Sequence, residues 1–452
     1  MNPVAVAGIG LCTAQGSAAD IRAGSPLAPP RALPWSPSPR ATCTVGFAAR
    51  GIDPLLRGSA RWQALARAAL GELEGRRDVP IIVASCNGGA DEDEVAWRSA
   101  FASLGFDAPV ASAACASGLH ALWLALTRIE AGEQEVIVLA VDVLSRANHD
   151  NFEVLRVLSM EPAPWQPTSS GFVPGEAAVA LRLVRACEGD GLARVSIPAL
   201  AHDRDAVDAL AEVLSAVPAR DAAAIIGQGT GPVATDEREL AALRSVVGEH
   251  VPLATALTSF GHTVGASSLL SVALAALDVR PMLTDHRVAV DGRRLGTATG
   301  TTLVACRALG GACAALTVGS QTSRSRPVVP TTWSTASPPP ALRIPLLRTI
   351  ADEALAHRPA VPPGALIVRL DEPLVPPADA SIGGRLLPSV ALEITPGFVA
   401  QLVARAWGYG GPALCLVGGS DDAWLPTLAA CRRVHGTVLV LHVHGRGFGW
   451  IA

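Results

Sequence analysis

The chain has 452 residues, of which half are hydrophobic and 17% are charged, so it can bury a large core. All 36 basic residues are arginine and the net charge is −4, which excludes lysine-based chemistry and gives no indication of nucleic acid binding. The nine cysteines form no Cys-x-x-Cys pair and no zinc spacing, so we expect a reducing, cytoplasmic location and no metal. The amino terminus lacks a basic segment and no apolar run reaches about 18 residues, so neither a signal peptide nor a membrane span is expected.

Short apolar strands alternate with amphipathic helices along most of the chain. Strands are predicted at residues 4–10, 81–85, 109–112, 136–141, 222–226 and 303–305, and helices at 62–73, 119–130 and 269–277. Near-continuous apolar strands of this kind predict an α/β fold with sheets covered on both faces. A Pro- and Ser-rich stretch at 323–341 predicts a linker between residues 1–322 and a smaller α/β region at 342–452.

One cysteine is a candidate nucleophile. Cys115 lies in the run Ala-Ala-Cys-Ala-Ser-Gly at 113–118, between a predicted strand and a predicted helix. Small neighbours permit a sharp turn, and a helix amino terminus favours the thiolate form of a thiol. The alternative is an inert buried cysteine.

Further segments decide between these readings, because they resemble motifs of the β-ketoacyl synthase family in the family's order. They are VAGIGLCTAQG at 6–16, ACASG at 114–118, GFVPGEAA at 171–178, QGTGP at 228–232 with Asp236 and Glu239, GHTVGA at 261–266, and LGG at 309–311. The resemblance covers about the first 320 residues. It implies a thiolase-like layered α-β-α-β-α fold, an acyl carrier protein as partner, and a homodimer or a heterodimer with another ketosynthase. It implies no cofactor beyond the phosphopantetheine of the carrier protein.

The resemblance also implies roles for individual residues. Cys115 would take an acyl group as a thioester, and His262 would polarise a thioester carbonyl through its ring N–H, unless it is only a core histidine. Substrate-binding positions carried over from the motifs are Thr230, Thr263, Leu309, Gly310 and Gly311. Three carboxylates are expected to be structural hydrogen-bonding residues, namely Glu176, Asp236 and Glu239.

Several positions depart from the family pattern. Gln228 stands where the family has a histidine, Leu257 where it usually has a lysine, and Leu309 where a phenylalanine is common. The stretch before Cys115 is also shorter than usual. A glutamine can donate a hydrogen bond to an oxyanion but cannot exchange a proton, so we expect Gln228 to be an auxiliary donor. This departure resembles non-elongating ketosynthases, although simple drift with weak condensation retained is the alternative.

The carboxy-terminal region resembles part of a second copy. Residues 404–420 are similar to the segment that leads into the nucleophile turn, with Gly418 opposite Cys115, so this half-domain would carry no nucleophile. An unrelated small α/β domain is the alternative. We expect the region to be dispensable for acylation and to support assembly. His442 and His444 are expected to be strand residues rather than metal ligands.

The sequence therefore predicts a cytoplasmic, ketosynthase-like acyltransferase that acts on carrier-protein thioesters in fatty acid or polyketide-type biosynthesis. It would load or transfer acyl groups, with condensation uncertain. A second hypothesis is a catalytically silent partner subunit similar to a chain-length factor. A cysteine hydrolase is disfavoured because the cysteine motif offers no base nearby. Pairing through a central strand is expected because an isolated copy would leave an apolar edge open.

Overall fold

The computed structural model describes residues 4–451 except 36, 38–40, 74–78, 87–102, 169, 187–190, 204–207, 282–294, 298–299, 320–341, 373, 375–380, 383–384, 387–392, 394 and 445–446. The strands are β1 Val4–Thr13, β2 Arg31–Ala32, β3 Val45–Gly46, β4 Ile81–Ala84, β5 Val110–Ser112, β6 Glu135–Asp142, β7 Ala177–Arg185, β8 Ala193–Val195, β9 Ala199–His202, β10 Ala224–Ile226, β11 Leu253–Ala254, β12 Val279–Pro281, β13 Leu295–Thr297, β14 Thr302–Arg307, β15 Ala312–Gly319, β16 Ala365–Leu370, β17 Ser381–Ile382, β18 Arg385–Leu386, β19 Ala413–Val417, β20 Val438–His444 and β21 Gly447–Ile451. The α-helices are α1 Ala18–Arg22, α2 Gly58–Gly71, α3 Ser117–Glu130, α4 Arg146–Leu155, α5 Ala209–Ala216, α6 Val233–Val247, α7 Leu257–Phe260, α8 Ser267–Ala276, α9 Pro345–Ala356, α10 Gly397–Trp407 and α11 Asp421–His435, with a 3₁₀ turn at Val264–Ala266.

Most of these strands join one mixed sheet. Its order is β11-β10-β14-β15-β8-β1-β7-β6-β4-β5-β19-β16-β20-β21, with β9 paired to β15. The neighbours β4, β5 and β6 run parallel, whereas β1 and β7 pair antiparallel. The strands are apolar along nearly their whole length because both faces of the sheet are covered.

Two buried helices form the central layer. Almost every residue of α3 and of α8 is buried, which is unusual for helices and requires cover on all sides. The two helices pack against each other, α3 against β4, β5 and β6, and α8 against β14 and β15. They approach closely because Gly118 has no side chain: a Cβ there would lie 2.7 Å from the backbone nitrogen of Leu269. The layered α/β fold predicted from the sequence is confirmed.

The predicted elements agree with the structure within a few residues. The expected strands correspond to β1, β4, β5, β6, β10 and β14, and the expected helices to α2, α3 and α8. The carboxy-terminal region has the predicted alternating pattern in β16, α10, β19, α11 and β20. The predicted linker at 323–341 lies wholly outside the described residues, as does much of the shortened stretch before Cys115.

The carboxy-terminal region continues the main sheet. Strand β19 pairs antiparallel with β5, with Ser112 opposite Cys415 and Val110 opposite Val417. Behind this junction α11 packs on α3, where the ring of His435 stacks on Trp123 with the centroids 4.3 Å apart. Strand β5 is therefore not an open edge of the sheet, because β19 of the same chain covers it.

Candidate functional site

The turn that carries Cys115 has the predicted strand–turn–helix form. It joins β5 to α3, and Ala114 has a φ of +49°, a left-handed conformation that costs energy for a residue with a side chain. The hydroxyl of Ser117 accepts a hydrogen bond from the Ala113 N–H at 2.9 Å and donates to the Ala114 carbonyl at 2.6 Å. These bonds hold the turn and direct the Cys115 thiol into the protein, where it is only 3% exposed.

The thiol meets the imidazole of His262. The Sγ atom of Cys115 lies 3.2 Å from Nε2 of His262. The Nδ1 atom accepts a hydrogen bond from the Val264 N–H at 3.2 Å, so the neutral ring carries its proton on Nε2. The ring stacks on Phe172 with the centroids 4.2 Å apart. His262 is thus held as a hydrogen-bond donor aimed at the sulfur.

Both groups are neutral near pH 7. Burial raises the pKa of Cys115 to about 12, opposed by hydrogen bonds from the backbone of Leu309 and of Cys115 itself. Burial lowers the pKa of His262 to about 4. A helix amino terminus alone would lower the pKa of the Cys115 thiol, as expected from the sequence. Loss of hydration outweighs the dipole here because the sulfur is removed from water.

Two backbone N–H groups lower the pKa of the Cys115 thiol and so oppose the effect of burial. One belongs to Leu309 and the other to Cys115. Leu309 lies in the turn between β14 and β15, which is closed by a hydrogen bond of 2.8 Å from the Gly311 N–H to the Ala308 carbonyl. Gly311 has a φ of +88°, which favours glycine at this position. Two backbone N–H groups that act on one reactive atom are the kind of donors an oxyanion hole uses.

Gln228 lies beside the site but its amide is already engaged. Its Nε2 donates to the sulfur of Cys306 at 2.9 Å, its N–H to Glu239, and its carbonyl accepts from Thr255. A small pocket beside it is lined by Gln228, His262, Leu257, Thr255, Ser267 and Ser271 among others. With His262 neutral, these six side chains present no charge to the pocket.

The motif carboxylates hold loops in place. Glu239 accepts the N–H groups of Gln228 and Gly229 and the indole N–H of Trp165 at 2.7–2.8 Å, and burial raises its pKa to about 7. Asp236 accepts the N–H groups of Trp165 and Gly231.

Glu176 is held in the same manner. It is ion-paired with Arg61 and accepts the backbone N–H groups of Ala49 and Leu144. All three carboxylates are thus occupied by hydrogen bonds that fix local structure, in line with the role expected of them.

The remaining predicted positions lie near the site in different ways. The Thr263 hydroxyl bonds to that of Ser267 at 3.1 Å, and Thr230 is buried. Gly310 follows Leu309 in the closing turn, where each is partly exposed. In the carboxy-terminal region His442 contacts Asp371 at 2.8 Å, and Gly418 lies in the turn after β19 with a φ of +65°.

Sequence reasoning missed Asp142. This buried carboxylate accepts the Ser85 hydroxyl and the backbone N–H groups of Cys86 and Gly265, at 2.7–2.9 Å. It ties the end of β4 to the 3₁₀ turn that follows His262. Its position directly after the apolar run 136–141 was the available signal, because polar residues at strand ends often serve a site.

Comparisons with known proteins agree with this fold. The family model for the β-ketoacyl synthase amino-terminal domain matches residues 99–188, and that for the carboxy-terminal domain matches residues 183–285. The two models together match residues 99–285, and this stretch is similar to the β-ketoacyl synthase family. No curated protein sequence matches the chain.

Solved structures share its fold at low sequence identity. The ketosynthase ApeO in complex with its chain length factor ApeC, from Xenorhabdus doucetiae, is 20% identical, with a TM-score of 0.58 over 71% of this chain and 98% of that one. The ketosynthase AntDE in complex with the acyl carrier protein AntF is 16% identical, with a TM-score of 0.57 over 71% of this chain and 100% of that one. The PfaC keto synthase–chain length factor is 13% identical, with a TM-score of 0.67 over 98% of this chain and 74% of that one. The fold is thiolase-like, as in the ketosynthases. Within the described residues we find no helix with the length and apolarity of a membrane span.

Proposed function

We propose that this protein is an acyltransferase that receives acyl groups from acyl carrier protein thioesters onto Cys115, in fatty acid or polyketide-type biosynthesis. The observation that carries the proposal is the contact of 3.2 Å between Cys115 Sγ and the Nε2 of His262. The Leu309 and Cys115 N–H groups beside the same sulfur support it. A cytoplasmic location remains part of the proposal.

In this proposal the reaction is a transthioesterification, in which the acyl group moves from the carrier thiol to Cys115. The sulfur of Cys115 attacks the thioester carbonyl, and the carbonyl oxygen becomes an oxyanion held by the N–H groups of Leu309 and Cys115. The bond to the carrier sulfur then breaks, and the carrier thiol leaves with the proton that Cys115 gave up. Burial makes protonation of the His262 ring unfavourable, so the ring does not take up the thiol proton. Its imidazole N–H instead stabilises the attacking thiolate.

Condensation is expected to be slow. Decarboxylation of a malonyl thioester needs two strong donors at the carbonyl oxygen where the enolate charge develops. His262 is one such donor, but the amide of Gln228 is neutral and already bonded to Cys306. Loading and transfer are therefore favoured over elongation.

A silent partner subunit, similar to a chain-length factor, is the second candidate. It is favoured by the uncharged pocket between Gln228 and Leu257 and by the resemblance of the whole chain in fold to a keto synthase–chain length factor protein. Such a subunit would shape a neighbour's pocket without forming a covalent intermediate.

Intact mass after incubation with a panel of acyl carrier thioesters separates the two. We expect the chain to gain one acyl group, and Cys115→Ala to abolish the gain. Cys12→Ala is the matched control, because Cys12 is a buried thiol whose pKa is likewise raised to about 12 by burial. If wild-type protein gains no mass with any acyl chain, alone or beside an active ketosynthase, the silent-subunit hypothesis replaces ours.

A further inference from the structure

The carboxy-terminal region mirrors the strands that carry the nucleophile. Outward from the β5/β19 junction, β5, β4, β6 and β7 follow in one direction and β19, β16, β20 and β21 in the other. In each half the first three strands are parallel and the fourth is antiparallel. Helix α3 follows β5 as α11 follows β19. The second half therefore repeats the layout of the first.

The register places equivalent residues opposite each other. Ser112 pairs with Cys415, Cys115 follows Ser112 by three residues, and Gly418 follows Cys415 by three. This is the geometry of a local two-fold axis through the junction, which in homo-oligomers relates two subunits. Here both halves belong to one chain.

This second half also reaches the active-site turns. Helix α10 begins at Gly397, where a Cβ would lie 2.6 Å from the Ser112 carbonyl oxygen and 2.7 Å from the Ala113 Cα. The helix thus rests directly on the strand end that leads into Cys115. The expectation that this region is dispensable for acylation is at odds with such close packing.

One turn further along α10, Gln401 faces the closing turn. A Cβ added to Gly310 would lie 3.0 Å from Gln401 Nε2 and closer still to Oε1. Gly310 does not have a left-handed φ, so its lack of a side chain is required by this contact and not by its backbone. Gln401 is 6% exposed, and its Oε1 has no hydrogen-bond partner among the described residues. A buried acceptor without a partner destabilises the fold, so stability alone does not account for this residue.

We propose that the carboxy-terminal region completes the Cys115 site in place of a second subunit, with Gln401 as the positioning residue. The length of its side chain supports Gly310 from behind and so fixes the neighbouring Leu309 N–H against the sulfur of Cys115. The proposal rests on the proposed function of Cys115 as acyl acceptor. The donors of an oxyanion site must be placed precisely, since a shift of about 1 Å can cost about 100-fold in rate.

Size compensation between the two positions tests this directly. Gly310→Ala should push the turn away from Gln401, and Gln401→Ala should leave a void behind it, so we expect each single change to slow acylation at least about 10-fold. In the double variant the new methyl group fills the space, and most of the rate should return. Gln401→Met keeps the side-chain length and should stay near wild type. Arg405→Ala, at an exposed position of the same helix, is the matched control.

A second measurement does not depend on acyl transfer. Displacement of the Leu309 N–H removes a hydrogen bond that lowers the pKa of Cys115, so alkylation of Cys115 by iodoacetamide should shift to higher pH in both single variants and return in the double variant. A double variant no better than the worse single variant, or an unchanged alkylation profile in Gln401→Ala, overturns the proposal. If wild-type protein never loads an acyl group but the alkylation profiles compensate, the proposed function fails while Gln401 keeps its positioning role. If Gly310→Ala does not fold, Gln401→Ala and Gln401→Met decide the question by the same alkylation profile.

Discussion

At the scale of single residues, the site pairs two neutral groups. Papain-type enzymes activate cysteine by an ion pair with histidine, which requires a low thiol pKa. In this protein burial raises the pKa of Cys115 and lowers that of His262, so proton transfer between them is unfavourable at neutral pH. The sequence motif around Cys115 contains no base. The structure brings His262 next to the thiol, but its ring nitrogen there carries the proton and acts as a hydrogen-bond donor. A hydrolase mechanism that needs a general base is therefore not favoured.

The first prediction concerns the pH dependence of Cys115 reactivity. Since the thiolate fraction grows about 10-fold per pH unit below the pKa, alkylation by iodoacetamide should rise steadily from pH 6 to pH 10. Cys115 is the one cysteine between Arg98 and Arg128, so cleavage at arginine isolates it for mass spectrometry. A plateau beginning between pH 4 and pH 7 would instead show a thiolate–imidazolium pair and contradict the neutral site.

The second prediction concerns Gln228. Gln228→His should raise CO₂ release from malonyl carrier protein by about 10-fold or more, because loss of one oxyanion donor typically costs about 10²–10³ in rate. Acylation of Cys115 should not change. Gln228→Ala is the control, since it removes the same contact with Cys306 without supplying a donor. Wild-type turnover equal to that of an elongating ketosynthase would show that Gln228 is harmless drift.

At the scale of elements, the loop before α6 depends on one carboxylate. Glu239 gathers three N–H donors from Gln228, Gly229 and Trp165. These bonds hold Gly229, whose φ is +59°, and the adjacent Gln228, which lines the pocket next to His262. The loop thus connects a structural residue of the motif to the site.

The third prediction follows from this network. Glu239→Gln turns an acceptor oxygen into an NH₂ group facing donors, so we expect a loss of about 1–3 kcal/mol in the free energy of unfolding, measured with urea. Glu237→Gln, at an exposed position of the same helix, should change the stability little. Equal stability of the two variants would show that the loop does not need the carboxylate.

The fourth prediction is the pH dependence of that stability. Burial raises the pKa of Glu239 to about 7, so the folded state binds the proton more tightly than the unfolded state does. Its contribution to the free energy of unfolding is therefore complete below pH 4.5 and is lost as the pH rises through about 7. The difference between wild type and Glu239→Gln should shrink over this range. A difference that grows with pH would show that the three N–H donors outweigh burial.

At the scale of the whole molecule, the chain contains its own counterpart to a partner subunit. Strand β19 covers β5, α11 covers the outer face of α3, and the His202 ring contacts the Ala413 carbonyl oxygen at 2.9 Å. An exposed apolar strand edge is a frequent cause of association between chains. That cause is removed here at β5.

The fifth prediction is that the full chain is a monomer in solution. Sedimentation should give a single species of 46.3 kDa, because the strand that would pair with a second chain is already paired. Removal of residues 342–452 should expose β5 and α3 and lead to association or aggregation, with loss of Cys115 acylation. A stable homodimer of the full chain, or a truncated protein that loads normally, would contradict this view of the region.

The amino-acid sequence alone determined the fold class and located the strand–turn–helix segment that carries Cys115. Apolar runs mark β1, β4, β6 and β14, and the small residues around Cys115 and His262 identify their turns, because periodicity and local sterics act within a few residues. Long-range contacts had to come from the tertiary structure. The direction of the Cys115 pKa depends on burial by distant elements, the tautomer of His262 on the backbone of Val264, and the closing turn on Gln401 from another part of the chain. None of these contacts leaves a periodic signal in the sequence, and the covering of β5 by β19 arises from pairing across some 300 residues.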